Sequence, residues 1–355
     1  MPNPNGADIL SPYARVLING QALSPEVEAT LLSVAIAEDL DAPSMFAITL
    51  VTWDTIQQKM TWVDDSMFDP GGEVEIQMGY QNTLKTIIVG EITGLEPEFF
   101  QDAIPTLVIR GHDLRHRLLR GRKTKSFTKM KDSAIASQIA RARGLTPIVE
   151  DTKVELEYVL QHNQTDWEFL QERAARIGFE VVVEQKKFYF RSPRHTTPEV
   201  LTLTREDGLI EFSPRLSTLT QVQQVEVRGW LPKEKKEVMS KAAAGQEGGT
   251  MGGKISGAKA VKTFGESKNT IVSQPVFSKA EADQIALGQF QEMAIAYITG
   301  EGTCLGNADL RAGNVIEITG LGTRFSGLYY VTATEHQHTP DQGYRTLFTV
   351  RRNAT

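Results

Sequence analysis

The sequence predicts a mixed, β-rich α+β protein in which two similar β-barrel domains flank a small α/β domain. Three observations carry that expectation. Alternating apolar and polar runs recur about every ten positions through residues 1–113, with turn residues between them, the pattern of a sandwich or barrel. Between residues 114 and 200 the texture changes to capped helices and a hairpin. Strands return in residues 201–355, and the last three match the end of the first domain in order and spacing.

The bulk properties fit. At 355 residues the chain exceeds one ordinary core, so two or three domains are expected. Its 40% apolar and 23% charged residues are those of a soluble globular protein. A net charge of −6 argues against a surface built to hold nucleic acid. One cysteine, Cys304, excludes an internal disulfide framework and a cysteine-rich zinc site, and reads as a small side chain packed in a strand. Met1 to Pro12 has neither the basic nor the apolar part of a secretory signal, and no run of about eighteen apolar residues is long enough for a membrane span. Synthesis in a cytoplasm is expected.

In the first domain, Ala14 to Asn19 alternates as a strand and Asn19-Gly20 turns it. Thr30 to Glu38 and Phe46 to Thr52 follow. Asp69-Pro70-Gly71-Gly72 launches Glu73 to Tyr80, and Thr86 to Leu95 with Thr106 to Gly111 completes the set.

The α/β domain opens on a basic run, Arg115 to Lys125. Asp132 is expected to cap a short helix with Ile135 and Ile139 on one face, ended by Gly144. The organising stretch is Gln161 to Arg191. Thr165 with Glu168 forms a capping box, each side chain satisfying a backbone N–H of the helix start. Trp167, Leu170, Ala174 and Ile177 fall at three- and four-residue intervals, so one helix face must be buried. Gly178 ends the helix in the left-handed conformation at no steric cost. Phe179, Val181 and Val183 then alternate along a strand, and Phe188 to Phe190 returns.

In the last domain, Leu209 to Phe212 and Gln221 to Trp230 read as strands. Residues 232–262, rich in lysine and alanine with six glycines, read as a mobile loop. Ser278 with Glu281 predicts a second capping box and a helix near 278–293. Val315 to Thr319, Tyr329 to Glu335 and Tyr344 to Arg351 close the chain. Internally, Gly72 to Ile76 aligns with Gly313 to Ile318 if one residue is inserted, Ile88 to Thr93 with Tyr330 to Glu335, and Thr106 to Arg110 with Thr346 to Arg351.

Candidate chemical motifs read as structural. Gly248 to Lys254 imitates a phosphate loop, but Ile255 stands where a magnesium-binding Ser or Thr is needed, and no buried strand precedes it. His112 with His116, and His336 with His338, each lack a third ligand nearby and read as surface or interface histidines. Asp64-Asp65 and Glu96/Glu98 have nothing to fix them across a cleft and read as solvated. The basic run reads as a solvated or protein-binding segment in an acidic chain. No catalytic, cofactor-binding or metal-binding residue is predicted.

Three stretches carry a resemblance. Gln161, Asn163, Thr165, Asp166, Trp167, Phe169, Leu170 and Gly178 lie in the order Q-x-N-x-[ST]-D-x-x-F-L…G. Leu310 to Gly320 includes Gly313 and Gly320. Phe325, Ser326, Gly327 and Tyr329, followed by His336, give F-S-G-x-Y…H. Together they resemble the late control protein D family of phages, the tail or baseplate hub proteins. That family is similar to the N-terminal hub part of the valine-glycine-repeat proteins of type VI secretion.

The resemblance implies a non-enzymatic structural role. It implies a homotrimer whose six barrels form a pseudo-sixfold ring between a hexameric tail tube protein and a trimeric spike, with contacts to other baseplate proteins. DNA would pass the lumen without specific binding, and the protein would be built into a virion tail or an injection particle. Because the type VI relatives continue into a needle and this chain stops at Thr355, the spike is expected to be a separate protein. The alternatives are a tail-associated peptidoglycan-processing enzyme and a hub-only component of a type VI-like needle.

Overall fold

The computed structural model describes residues 11–80 and 83–355, so most of the leader read for a signal lies outside the described residues. The first part of the chain supplies six long strands: β1 (Pro12–Ile18), β2 (Leu31–Asp39), β3 (Met45–Val51), β4 (Glu73–Tyr80), β5 (Thr83–Glu98) and β6 (Thr106–Asp113). Alternation decides which face goes inward. Val34, Ile36, Phe46, Ile48, Leu50, Val74, Ile76, Leu107 and Ile109 share one buried cluster, while their strand neighbours face outward.

The middle unit contains β7 (Lys123–Met130), α1 (Asp132–Ala142), β8 (Thr146–Val149), β9 (Leu156–Gln164), α2 (Asp166–Arg176), β10 (Glu180–Glu184) and β11 (Lys187–Arg191). β7 pairs with β9, and β8, β11 and β10 form a second small sheet. Asp132 is not the cap of α1. It is the first helical residue, and its carboxylate instead accepts two bonds from Arg173 of α2 at 2.7 and 2.9 Å.

The last part holds β12 (Thr202–Thr204), β13 (Leu209–Leu216), β14 (Gln224–Leu231), β15 (Lys236–Ala243), β16 (Lys268–Ile271), α3 (Lys279–Ile295), β17 (Ile298–Leu305), β18 (Val315–Thr319), β19 (Gly327–Thr339) and β20 (Gly343–Arg352). Residues 232–262 are not an unstructured loop. They contain β15, which pairs with β14 along its whole length, and a short helix (Gly257–Ala260), with Met251, Ser256 and Ala258 buried. α3 covers the sheet β15-β14-β16 through Ala282, Ile285, Ala286 and Phe290, which pack with Val225 and Val227. The Lys and Gly content hid this hairpin, because one exposed face of a small sheet carries no alternation beyond Val238, Ser240 and Ala242. Only half of the second capping box forms: Ser278 accepts from the Glu281 N–H, but the Glu281 carboxylate takes Phe277 N–H and Arg176.

Where two separate barrels were expected, one thirteen-stranded sheet runs through both ends of the chain, in the order β13-β17-β20-β19-β2-β3-β6-β5-β4-β1, followed by the two-residue strand Gln21–Ala22 beyond β1, with β18 beside β19 and β12 beside β18. Among the described residues neither end closes on itself by hydrogen bonds. The sheet nevertheless has two halves with the same strand order. The first reads β2-β3-β6-β5-β4-β1 and the second β13-β17-β20-β19-β18-β12. Bulges recur at matching places, between Leu31 and Ser33 and between Leu209 and Glu211, then between Ile92 and Gly94 and between Val331 and Ala333. The halves differ in that β1 is antiparallel to β4 whereas β12 is parallel to β18.

The bulges correct the register of the internal match. Gly71 N–H bonds Ile92 O and Gly313 N–H bonds Val331 O, both at 2.8 Å, so Gly71 is the counterpart of Gly313 and no inserted residue is needed. Ile92 corresponds to Val331, three places from the sequence alignment, and Leu107 to Thr346, one place from it. Strands of period two align plausibly in several registers, and only the bulge fixes one.

Candidate assembly interface

The two halves are stitched where β2 pairs with the C-terminal part of β19, from Asp39 opposite Ala333 to Val34 opposite His338. This seam buries a polar cluster. Glu38 on β2 accepts from Arg311 Nε at 2.7 Å and from Thr334 Oγ1 at 3.1 Å, and Arg311 also donates to the carbonyls of Thr86 and Ile87 on β5. His336 lies fully buried beside it, with Nδ1 2.7 Å from Tyr344 Oη and Nε2 4.0 Å from Glu38 Oε2. Burial pushes the Glu38 carboxyl up, but Arg311, His336 and Thr334 outweigh it and hold it below its ordinary value. Burial drives the His336 imidazole the other way, down to about 4 against the pull of Glu38. The ring is therefore neutral at pH 7 and acts as a packed hydrogen-bonding group. It is not the surface or interface histidine that the sequence suggested.

The signature residues of the middle unit hold its fold. Thr165 N–H bonds Glu168 Oε2 at 3.0 Å while Glu168 N–H bonds Thr165 Oγ1 at 3.1 Å, the complete capping box. Asp166 is buried and accepts from Lys123, Arg143 and Gln161, at 2.7, 2.7 and 3.2 Å. Asn163 has φ +47°, and its carbonyl accepts from Arg122. Trp167 lies beneath the Arg115 guanidinium, Phe169 stacks on Phe127 at 5.7 Å between centroids, and Leu170 is buried in the same core. Gly178, at φ +69°, packs on Gly288 of α3 so closely that a Cβ would stand 2.7 Å from the Gly288 Cα. α2 is thus docked onto the last part of the chain by backbone contact.

The last signatures lie in the closing part of the chain, around the start of β19. Gly313 and Gly320 have φ +87° and +79°, and at Gly327 a Cβ would meet the Arg352 guanidinium at 2.6 Å. Arg352 donates to Ser326 O and lies over the Tyr329 ring, whose hydroxyl donates to Phe325 O at 2.7 Å.

The basic run is occupied within the chain. Arg115 pairs with buried Asp113 at 2.7 Å, Arg117 and His116 with Glu91, Arg122 with Glu168 and Lys123 with Asp166. Sequence reading missed these pairs because their acids lie up to forty-six residues away. Asp65 caps a short turn at Met67 N–H, Glu96 pairs with Arg110, and Glu98 accepts from Thr106. Cys304 is buried in β17, and burial pushes its thiol up to about 12. Among the described residues no three His, Cys, Asp or Glu side chains gather to hold a metal ion, and no helix is long and apolar enough to cross a membrane.

The chain superposes over nearly its whole length on solved tail proteins. The 43 kDa tail protein of prophage MuSo2 from Shewanella oneidensis superposes with a TM-score of 0.70 at 13% identity, over 96% of this chain and 98% of that one. A tail protein from Neisseria meningitidis MC58 gives 0.66 at 13% identity, over 96% and 97%. An Escherichia coli component of the type VI secretion system, described as structurally similar to phage T4 tail proteins, gives 0.60 at 13% identity, over 96% and 77%. The fold is therefore that of phage tail proteins and their type VI hub counterparts, as the resemblance implied. No curated protein matches in sequence. The family model described as the Alg8 N-terminal domain matches residues 10–339, and the chain belongs to that family.

Proposed function

We propose that this chain is a structural, non-enzymatic hub of a contractile phage tail or phage-like injection system, built into the tail or baseplate of the particle. The observation that carries the reading is the same six-strand order occurring twice. Three chains then offer six similar modules, each read as one barrel-like unit, and threefold symmetry becomes pseudo-sixfold. A ring of that kind meets a hexameric tail tube protein on one face and a trimeric spike on the other, since even docking requires matched symmetry. Other baseplate proteins would pack around it, and the acidic balance of the chain favours passage of DNA through the lumen without binding. The tail-protein fold supports the structural role, and the in-chain engagement of Asp65, Glu96 and Glu98 gives the enzyme reading no support. The test is mass in solution with and without tube and spike proteins. A ring has about 118 kDa, three times the chain's 39.3 kDa. A particle that stays at one chain in the presence of both partners overturns the proposal.

A further inference from the structure

The two halves differ at one buried charge. Ile92 corresponds to Val331 and Gly111 to Val350, so Asp113 at the end of β6 corresponds to Arg352 at the end of β20, and Ile88 to Gly327. In the first half the charge is answered within the chain. Arg115 Nε donates to Asp113 Oδ2 at 2.7 Å, and the Ser44 and Arg115 N–H groups donate to the same carboxylate at 3.0 and 2.9 Å. In the second half it is not. Among the described residues Arg352 donates only to Ser326 O, through Nη1 at 2.7 Å, and its Nε is buried without a partner. A buried cation whose donors lack acceptors is costly and calls for an explanation. Gly327, where the first half has Ile88, makes room for the guanidinium, which any Cβ there would meet.

Arg352 is only 3% exposed, yet it lines a cavity of about 740 Å3. The other walls are the loop 251–255, the turn 323–328 and Thr355. That volume lies in the range of sites that enclose a small molecule or several side chains, about 300–1,000 Å3. Lys254 and Arg324 stand exposed in the lining, and neither pairs with a carboxylate among the described residues. Glu199 and Glu317 line it too. The Thr355 backbone oxygen is taken up by the Lys254 and Ile255 N–H groups, at 2.7 and 3.1 Å.

We propose that this cavity binds a carboxylate-bearing peptide segment of a partner protein, with the acid held by Arg352, Lys254 and Arg324. A fixed guanidinium and two mobile cations supply charge-assisted hydrogen bonds to an oxyanion. Glu199 and Glu317 decide between anions. They repel a multiply charged phosphate, and they accept the backbone N–H groups that a peptide offers and a phosphate lacks. Met251, Ile255 and Leu328 add apolar contact for a flanking side chain. The glycine run that imitates a phosphate loop thus ends in a wall of a site whose own carboxylates disfavour a triphosphate. Because Asp113 with Arg115 fills the equivalent place in the first half, each chain has one such site. On the hub reading above, a ring would carry three, and the partner would follow its threefold symmetry.

The test uses the full chain and two capped peptides, acetyl-Leu-Glu-Gly-Leu-amide and its glutamine counterpart, with inorganic phosphate as a third probe at equal ionic strength. At about ten times its Kd the glutamate peptide should raise the melting temperature by about 3 °C. The glutamine peptide should need at least about fivefold more for the same shift. Lys254→Ala with Arg324→Ala, at two exposed positions, should weaken the glutamate peptide by about tenfold and leave the ligand-free melting temperature within about 1 °C of the parent. Arg352→Gln should remove the peptide's effect altogether, and if that variant does not fold, the exposed pair still decides. Equal shifts from the two peptides, or an unchanged affinity in the Lys254→Ala, Arg324→Ala chain, overturn the proposal. So does the absence of any shift from the glutamate peptide at about 10 mM, where even a Kd near 1 mM gives near-saturation. A phosphate shift as large as the peptide's, lost in the same double variant, assigns the cavity to a free oxyanion and overturns the peptide reading. Every readout is made on the single chain, so the ring can fail without the site, and the site without the ring.

Discussion

Arg311→Met removes the cation from the seam between the two halves while keeping most of the side-chain volume. In the parent, Arg311 grips Glu38 with two nitrogens and also satisfies the Thr86 and Ile87 carbonyls. After the change, the Glu38 carboxylate keeps only the Thr334 hydroxyl and a neutral imidazole 4.0 Å away. Breaking a buried ion pair by deleting one partner costs about 3–5 kcal/mol. The lower end applies, about 3 kcal/mol, because 27% of the Arg311 side chain remains accessible. At about 2 °C per kcal/mol for a large domain, the melting temperature should fall by roughly 6 °C.

The pH dependence of that loss identifies its cause. In the parent, Glu38 titrates below its ordinary value of 4.5, so its contribution is complete above that pH and is lost as pH falls through the folded value. Without Arg311 burial dominates, and the Glu38 pKa should rise above the ordinary value. The variant's deficit should then be smaller at pH 5 than at pH 8, read by thermal unfolding at the two pH values. A melting temperature within about 1 °C of the parent at both, or a deficit that does not shrink on acidification, would refute the reasoning.

Other consequences are as concrete. His336, neutral and buried with a pKa near 4, binds its proton in the unfolded chain near 6.5, so stability should fall between pH 6.5 and 4, by about 3 kcal/mol, and His336→Asn should flatten that slope. Thr165→Ala removes one half of the capping box and should cost about 1 kcal/mol, seen as faster hydrogen exchange in α2. Gly288→Val places a Cβ 2.3 Å from the Ile177 carbonyl carbon with only backbone to yield, so it should cost about 3 kcal/mol or more and separate α2 from α3 by limited proteolysis. Cys304 should resist a thiol reagent in the folded chain and react at once in denaturant, since it is buried and its thiol is pushed up to about 12.

What could be read in advance was local. The α2 stretch carries its cap, its buried face and its Gly178 terminator between Thr165 and Gly178, so its helix follows from neighbours in sequence. Strand faces were equally plain, because Val34, Ile36, Phe46 and Ile48 alternate with exposed or half-buried neighbours. The partners of the charges were not legible. Asp132 looked like a cap, yet it binds Arg173, forty-one residues away. The lysine-rich segment after Pro232 looked structureless, yet it pairs with β14, which supplies the backbone partners.

The amino-acid pattern by itself determined that this is a strand-rich chain with capped helices, because periodicity, caps and turn residues act over short spans. Only the tertiary structure decided that the two copies share one sheet, that the bulges after Ile92 and Val331 set their true correspondence, and that Glu38, Arg311 and His336 meet at the seam. Pairing across the seam joins residues nearly three hundred positions apart. The free energy that selects it comes from burying the two edges together, and no local run of residues carries that information.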